Sequence, residues 1–388
     1  MQRTARLIVS RGREVLGQLG PFPVATPWWA DTGPVAARAS LLLGAPATVL
    51  RLVSVSGGER MAGGEVTYHC EVAARPEVAL AEVPPVLKKA VTDPHPLRAP
   101  FAEPGAVAQV LAWAAAELPG PPPVFTQVKT WNLSCVLRLD SGAGPVWCKW
   151  GRTFETAEPV PIALVAERDP GLVPQVLAAR PADRITLLAE VPGEDCWDAG
   201  ADLIAGTVRR WVAVQGALAG ADLPGLPRWE PETLPRRIER ALAAAALTKD
   251  ERARAAQLAD TAVAGGLPAT LVHGDFHSGN WRGDGGPVTI LDWTGAHRGH
   301  PADDLLTLVR RLDPDRAAAA TGAWCAAWRE AVPGSDPEAA LATARPLFHL
   351  GKAALYQHFL DHIEPSERPY HEPDPAAEIR AALAASST

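Results

Sequence analysis

The chain contains no apolar run near the roughly 20 residues a membrane-spanning helix requires, so no segment reads as transmembrane. Cysteine is scarce. Five residues, at 70, 135, 148, 196 and 325, form no Cys-x-x-Cys pair, which excludes a disulfide-stapled scaffold and a thiolate zinc ribbon and favours a reducing compartment. We therefore expect a cytoplasmic protein. No Gly-x-x-x-x-Gly-Lys-Ser/Thr run occurs, so a P-loop is excluded, and no self-similarity at a period of about 20–50 residues suggests a repeat architecture. A basic excess is also missing. The net charge of -7 gives no footprint for nucleic acid, whose phosphates need a positive field.

What is present is a globular composition, with 47% hydrophobic residues and 13 Trp in 388 residues. That length suits two or three packed units at about 150 residues each. Pro (38) and Gly (33) are so frequent that only clusters mark boundaries. The best cluster is ELPGPPPVF, residues 117–125. Before it, MQRTARLIVSRGREVLG alternates like a strand and hairpin rather than a secretory signal. TARLIVS, TVLRLVSV and VTYHCEV read as strands, with GPVAARASLLLGA as a helix between them. Residues 1–118 are expected to form a small α/β domain. From 119 to 195, FTQVKTWNLSCVLRLDSGAGPVWCKW predicts a hairpin, IALVAERD a short helix, and VPQVLAA and ITLLAEV two further strands. This is a mostly antiparallel β lobe. Residues 196–388 then turn helical and Ala-rich (RRIERALAAAAL, RARAAQLADTAVAGG), interrupted by LVHGDFHSGNWRGDGGPVTILDW. The fold class expected is α+β.

That interruption concentrates polar chemistry between two apolar strings. Asp275 stands five residues before Asn280 and behind His273, and Asp292 follows twelve residues after Asn280. A loop that holds a carboxylate near an attacking hydroxyl, with an amide oxygen facing a metal, places base and metal together at a nucleotide phosphate. RGDGGP is a turn that lets two short strands run antiparallel and return Asp292 to Asn280. Hard oxygens of this kind suit Mg²⁺.

HGDFHSGN followed by ILDW resembles the catalytic signature of the aminoglycoside phosphotransferase and choline kinase-like superfamily. The resemblance implies a kinase-like bilobal fold over about 120–388 and ATP-dependent, Mg²⁺-assisted phosphoryl transfer to a small-molecule hydroxyl. It makes Asp275 the catalytic base and Asn280 and Asp292 the Mg²⁺ ligands. GHPADDLLTL resembles the family's G-x-P-x-x-D-L segment, making Asp304 a structural anchor at a helix start. VWCKW places Lys149 as the phosphate-clamping lysine and LVAERDPGL places Glu167 as its helix partner, with Glu155 and Glu158 as competitors. LLAEVPGE resembles the adenine-binding hinge, acting through backbone at Glu190 or Val191. One departure stands out: the turn over the phosphates, KTWNLSCVL, has no Gly, leaving Asn132 and Ser134 as candidate phosphate contacts.

Residues 1–118 resemble a Nudix-type α/β sandwich, yet 32–58 contain no Glu, so metal-assisted hydrolysis is not expected there. Two other readings compete for the HGDFHSGN motif. His273, Asp275 and His277 could ligate zinc, but this leaves Asn280, Asp292 and the upstream Lys and Glu unemployed. A catalytically silent, nucleotide-binding interaction module is the other, kept open by the Gly-free turn. The partners expected are a nucleotide and a small hydroxyl compound, with neither nucleic acid nor membrane. The acceptor's identity is not legible.

Overall fold

The computed structural model describes residues 2–142, 144–261 and 265–386. Ala143 of the predicted hairpin turn and residues 262–264 of the Ala-rich run lie outside the described residues. The chain divides into two compact units. The first comprises Met1–Phe154, Leu177–Glu190 and Leu360–Glu372; the second comprises Glu155–Val176, Val191–Phe359 and Pro373–Thr388.

In the first unit, β1 (Arg3–Arg11), β2 (Glu14–Val24), α1 (Gly33–Leu43), β3 (Ala47–Ser56) and β4 (Gly64–Val72) form a sheet of order β2-β1-β4-β3 with one helix. β1 and β4 run parallel and the outer pairs antiparallel. Period-2 alternation decides the packing. Ala5, Leu7 and Val9 meet Val35, Ala36, Ala39 and Leu43 of α1, while Ile8 points to the other face, toward Val53, Val83 and Val91 of α2 (Pro85–Thr92). α1 starts on Pro34 and stops at Gly44, whose φ of 65° makes a left-handed C-cap.

α3 (Ala106–Glu117) covers a second sheet built from β5 (Val124–Thr130), β6 (Cys135–Ser141), β7 (Gly144–Trp150), β8 (Val176–Arg180) and β9 (Ile185–Ala189), in the order β5-β6-β7-β9-β8. Leu137, Leu139, Val146, Cys148 and Leu187 pack against Val107, Val110 and Ala114 of the helix. Alternation therefore puts Trp147 and Lys149 on the opposite face. The returning segment Leu360–Glu372 completes this unit. Tyr370 meets Trp29 edge-on at 5.8 Å, and Glu364 takes a hydrogen bond from Arg98 at 3.0 Å.

The second unit is mainly helical: α4 (Pro159–Ala166), α5 (Ala201–Ala217), α6 (Leu234–Ala244), α7 (Lys249–Asp260), α8 (Ala302–Val309), α9 (Pro314–Ala331), α10 (Pro337–His362, whose last turn belongs to the first unit) and α11 (Asp374–Ala385). Between them lie two small sheets. One joins β10 (Glu194–Asp195), β13 (Trp281–Gly283) and β14 (Thr289–Ile290); the other joins β11 (Arg228–Trp229), β15 (His297–Gly299) and β12 (Thr270–Val272). Among the described residues no helix is long and apolar enough to cross a membrane.

Two expectations shift in position. The helix expected over IALVAERD begins three residues earlier, because Pro159 and Pro161 occupy its first turn, and it ends at Ala166 with Glu167 as C-cap. The strand expected over VTILDW is confined to Thr289–Ile290, since Asp292 adopts φ 64° and starts a short 3-10 turn.

Candidate active site

All of HGDFHSGN and ILDW, residues 273–280 and 290–293, lies in the second unit. β12 delivers His273, whose imidazole is buried and fixed at both nitrogens: Nε2 donates to the Leu291 carbonyl at 3.0 Å and Nδ1 accepts from the Asp275 N–H at 3.2 Å. Burial pushes this imidazole down to about 4, so it is neutral. With both nitrogens engaged, His273 has no lone pair for a metal, and the zinc reading loses its first ligand.

Asp304, in the first turn of α8, gathers the loop's entry. It accepts from the backbone N–H groups of His273 (2.9 Å) and Gly274 (3.0 Å), from Trp211 Nε1 (2.8 Å) and from Gln215 Nε2 (3.2 Å). Burial raises its carboxyl to about 6, and these donors oppose the rise. The anchor role expected for Asp304 is the one its contacts describe.

Asp275 follows with a carboxylate 46% exposed, so a substrate can reach it. Arg311 Nη1 lies 3.3 Å from Oδ1 and His277 Nε2 3.4 Å from Oδ2. Desolvation alone would raise this carboxyl, but His277, Arg311 and Lys352 outweigh it and hold it well below the usual range. A carboxylate so stabilised is a weak proton acceptor. It is suited to orienting a hydroxyl, which is most of what a loose phosphoryl-transfer transition state asks of it.

Asn280 Nδ2 donates to the Asp275 carbonyl at 3.0 Å and to Oδ2 at 3.3 Å. β13 and β14 then pair antiparallel, Trp281 opposite Ile290, and the Leu291 N–H reaches the Asn280 carbonyl at 2.7 Å. The expected return of Asp292 to Asn280 is thereby made. Asp292 sits in the left-handed region, uncommon for a residue with a side chain and frequent at functional sites. Its Oδ1 accepts from Thr294 Oγ1 at 2.8 Å. Trp281 and Trp293 are fully buried and serve packing, Trp293 lying 4.5 Å from His273 and 5.4 Å from Trp211. An amide and a carboxylate set side by side by backbone pairing are a fitting donor set for Mg²⁺.

The irregular segment preceding α4 is stitched to the Asp292 segment. Thr156 N–H donates to the Thr294 carbonyl (3.1 Å), Thr156 Oγ1 to the Ala296 carbonyl (2.7 Å), and Trp293 N–H to Glu158 Oε1 (2.8 Å). Glu158 is buried. Glu167 is the correction: at the C-cap of α4 its side chain is 70% exposed and pairs with Arg168. Glu167 thus lies past the last helical residue and faces solvent, while Glu158, at the other end of α4, meets the Asp292 segment.

In the first unit, Lys149 is buried on the central strand β7, opposite Val136 and Thr186. Ser134 Oγ accepts the Trp131 indole N–H at 2.9 Å, which leaves its O–H able to donate. Its neighbour Asn132 is fully buried with both side-chain polar atoms unbonded among the described residues. Glu190 uses its carboxylate on Trp147 Nε1 at 2.9 Å. In the second unit the Val191 carbonyl accepts from Arg282 Nε at 2.8 Å. Arg311, Lys352, Arg237 and Asp303 were invisible in the sequence; Arg237, Asp303 and Lys352 lie on α6, α8 and α10 and Arg311 just beyond the end of α8, so no single local spacing relates them.

Comparison with known proteins agrees with the motif. Residues 162–347 match the model of the Phosphotransferase enzyme family (APH). The fold is shared with a choline/ethanolamine kinase family protein from Mesorhizobium loti (17% identity, 73% of this chain and 95% of that one, TM-score 0.53). It is shared also with choline kinase from Cryptosporidium parvum Iowa II (9% identity, 72% and 95%, TM-score 0.51). A third is a protein provisionally named an aminoglycoside phosphotransferase from Ralstonia eutropha JMP134 (13% identity, 72% and 98%, TM-score 0.53). No curated protein sequence matches the chain. The α+β kinase-like fold expected from the motif is the fold found.

Proposed function

We propose that the protein transfers the γ-phosphoryl group of ATP to a hydroxyl of a small molecule. The observation that carries this reading is the conjunction of the family match over 162–347 with Asp275, Asn280 and Asp292 drawn together by the β13–β14 pairing. In this reading Asp275 orients the acceptor hydroxyl and receives its proton late, while Asn280 and Asp292 hold Mg²⁺. The ion, when bound, neutralises charge developing on the phosphoryl oxygens. Glu158 steadies Asp292 through the Trp293 N–H. Lys149 is the proposed phosphate clamp, with the backbone at Glu190 as the proposed adenine contact. Residues 1–118 take no part in the chemistry, since 32–58 offer no Glu to hold a metal.

The test is a pair of variants in an ADP-release assay with calorimetric Mg-ATP titration. Asp275→Asn is expected to lower turnover by at least about 100-fold while Mg-ATP affinity stays within a few-fold, because the residue meets acceptor rather than nucleotide. Asp292→Ala is expected to weaken both. Full turnover in Asp275→Asn, or unchanged Mg²⁺-dependent ATP binding in Asp292→Ala, removes these assignments. A wild-type protein that binds Mg-ATP yet phosphorylates nothing would favour the silent nucleotide-binding module.

A further inference from the structure

Beside the loop that carries Asp275, the second unit encloses a cavity of ≈ 50 Å³ whose lining includes Trp229, Arg237, Gly274, Asp303, Phe348 and Lys352. It begins one residue before Asp275, at Gly274, whose carbonyl accepts from Lys352 Nζ at 2.7 Å. The ionisable groups around it are under-used. Lys352 spends one of its three donors on that carbonyl. Arg237 makes no hydrogen bond among the described residues and lies 4.1 Å over the Trp229 ring. The Asp303 carboxylate likewise accepts none. The second lining carboxylate, Glu230, is already paired with Arg298 and Arg228, and burial disfavours the charged form of both lining imidazoles, pushing His297 down to about 3 and lowering His300. Two cations and one carboxylate therefore face the space.

This inventory selects among acceptors. A polyamine needs several uncompensated carboxylates, and the cavity has one, already within the field of two cations. A quaternary ammonium needs open aromatic faces, yet both rings are occupied: Trp229 carries Arg237 at 4.1 Å and His297 at 4.3 Å, and Phe348 has Lys352 at 5.5 Å and Arg310 at 5.8 Å. A purely anionic group would meet the Asp303 carboxylate. Hydroxyls satisfy all three charged groups, because each can donate to Asp303 while accepting from Arg237 or Lys352. The volume has room for a few heavy atoms, as in part of a sugar or polyol.

We infer that this cavity is the acceptor subsite and that the acceptor is a neutral polyhydroxyl compound, with neighbouring hydroxyls bridged between Asp303 and the Arg237–Lys352 pair. The inference rests on the phosphotransferase reading and narrows it. Arg237 and Asp303 are binding residues for the acceptor and have no part in holding nucleotide.

The experiment uses the full chain with Mg-ATP and a probe panel of D-glucose, maltose, D-ribose, myo-inositol and glycerol, set against kanamycin and choline. ADP release reads turnover and saturation-transfer NMR reads binding. At least one neutral polyol is expected to bind and accept phosphate in preference to the two cations. Asp303→Asn and Arg237→Met, each checked for an intact thermal transition, are expected to raise the polyol KM about tenfold or more, the worth of one charge-assisted hydrogen bond, with the ATP KM within about twofold. Preference for kanamycin or choline, no polyol bound while Mg-ATP still binds, or an unmoved polyol KM in both variants overturns the inference. Loss of Mg-ATP binding in the wild-type protein is a separate result: it overturns the phosphotransferase reading, and this inference falls with it.

Discussion

Glu158 and Glu167 bracket α4, one before its first residue and one after its last, and the difference between them is a matter of burial. Glu158 is 4% exposed and takes the Trp293 N–H at 2.8 Å. Removing it leaves a buried donor without a partner, at a cost of about 1–3 kcal/mol, beside the residue proposed to hold metal. Glu158→Ala is therefore expected to lower kcat and weaken Mg-ATP together, with Glu158→Gln recovering much of the loss because its amide oxygen can still accept. Glu167→Ala, losing only an exposed pair with Arg168, is expected to stay within about twofold of wild type. Steady-state kinetics across the three variants check this. A larger defect in Glu167→Ala than in Glu158→Ala would restore the assignment that the sequence suggested.

At the scale of elements, the turn leaving β12 is a point of close backbone approach. Gly274 has φ 87°, and a Cβ there would lie 2.3 Å from the Gly295 carbonyl oxygen, so the loop and the segment after Asp292 can approach only without a side chain. Gly274→Ala adds left-handed strain to a backbone clash, and a loss of about 2–4 kcal/mol is expected in chemical denaturation, with turnover abolished. Gly322→Ala in α9, where nothing lies within 4 Å, is the control and should be neutral or slightly stabilising. Equal stability of the two variants would mean that the loop can yield at Gly274. The same elements show what the sequence could reveal. β1, β3 and β4 were legible because each splits its side chains between two covered faces with period 2. Asp275, Asn280 and Asp292 were legible because one local hairpin joins them. α4 was placed too late because its prolines look like breakers but sit in the permitted first turn. Arg237, Asp303 and Lys352 lie on three helices, α6, α8 and α10, with Arg311 just beyond the end of α8; packing alone brings them together, and no spacing encodes that.

Over the whole molecule, buried titratable groups pull stability in opposite directions as pH falls. Burial depresses His69 to about 3, His273 to about 4 and His297 to about 3. Each is neutral when folded and takes a proton when unfolded, so its contribution is complete above about pH 6.5 and is lost as pH falls toward the folded value, roughly 2 kcal/mol each by pH 5. Burial raises Asp303 and Asp304 to about 6 and Glu367 to about 7. These carboxyls protonate in the folded state first and recover a comparable amount over the same interval. Stability is thus expected to be nearly flat between pH 7 and 5. Below pH 5 it should fall steeply, as the carboxyl gain saturates at the unfolded value near 4 and Asp275, held low in the folded state, adds its own loss. Glu367 makes the balance testable, since it is 1% exposed and a neutral isostere can take its place. Glu367→Gln removes the largest compensating term, so that variant should lose about 2 kcal/mol between pH 7 and pH 5 where the wild type loses little, while being no less stable at pH 7. Urea unfolding of both proteins at the two pH values measures the difference directly, and parallel pH profiles would show that Glu367 is ionised in the folded protein throughout.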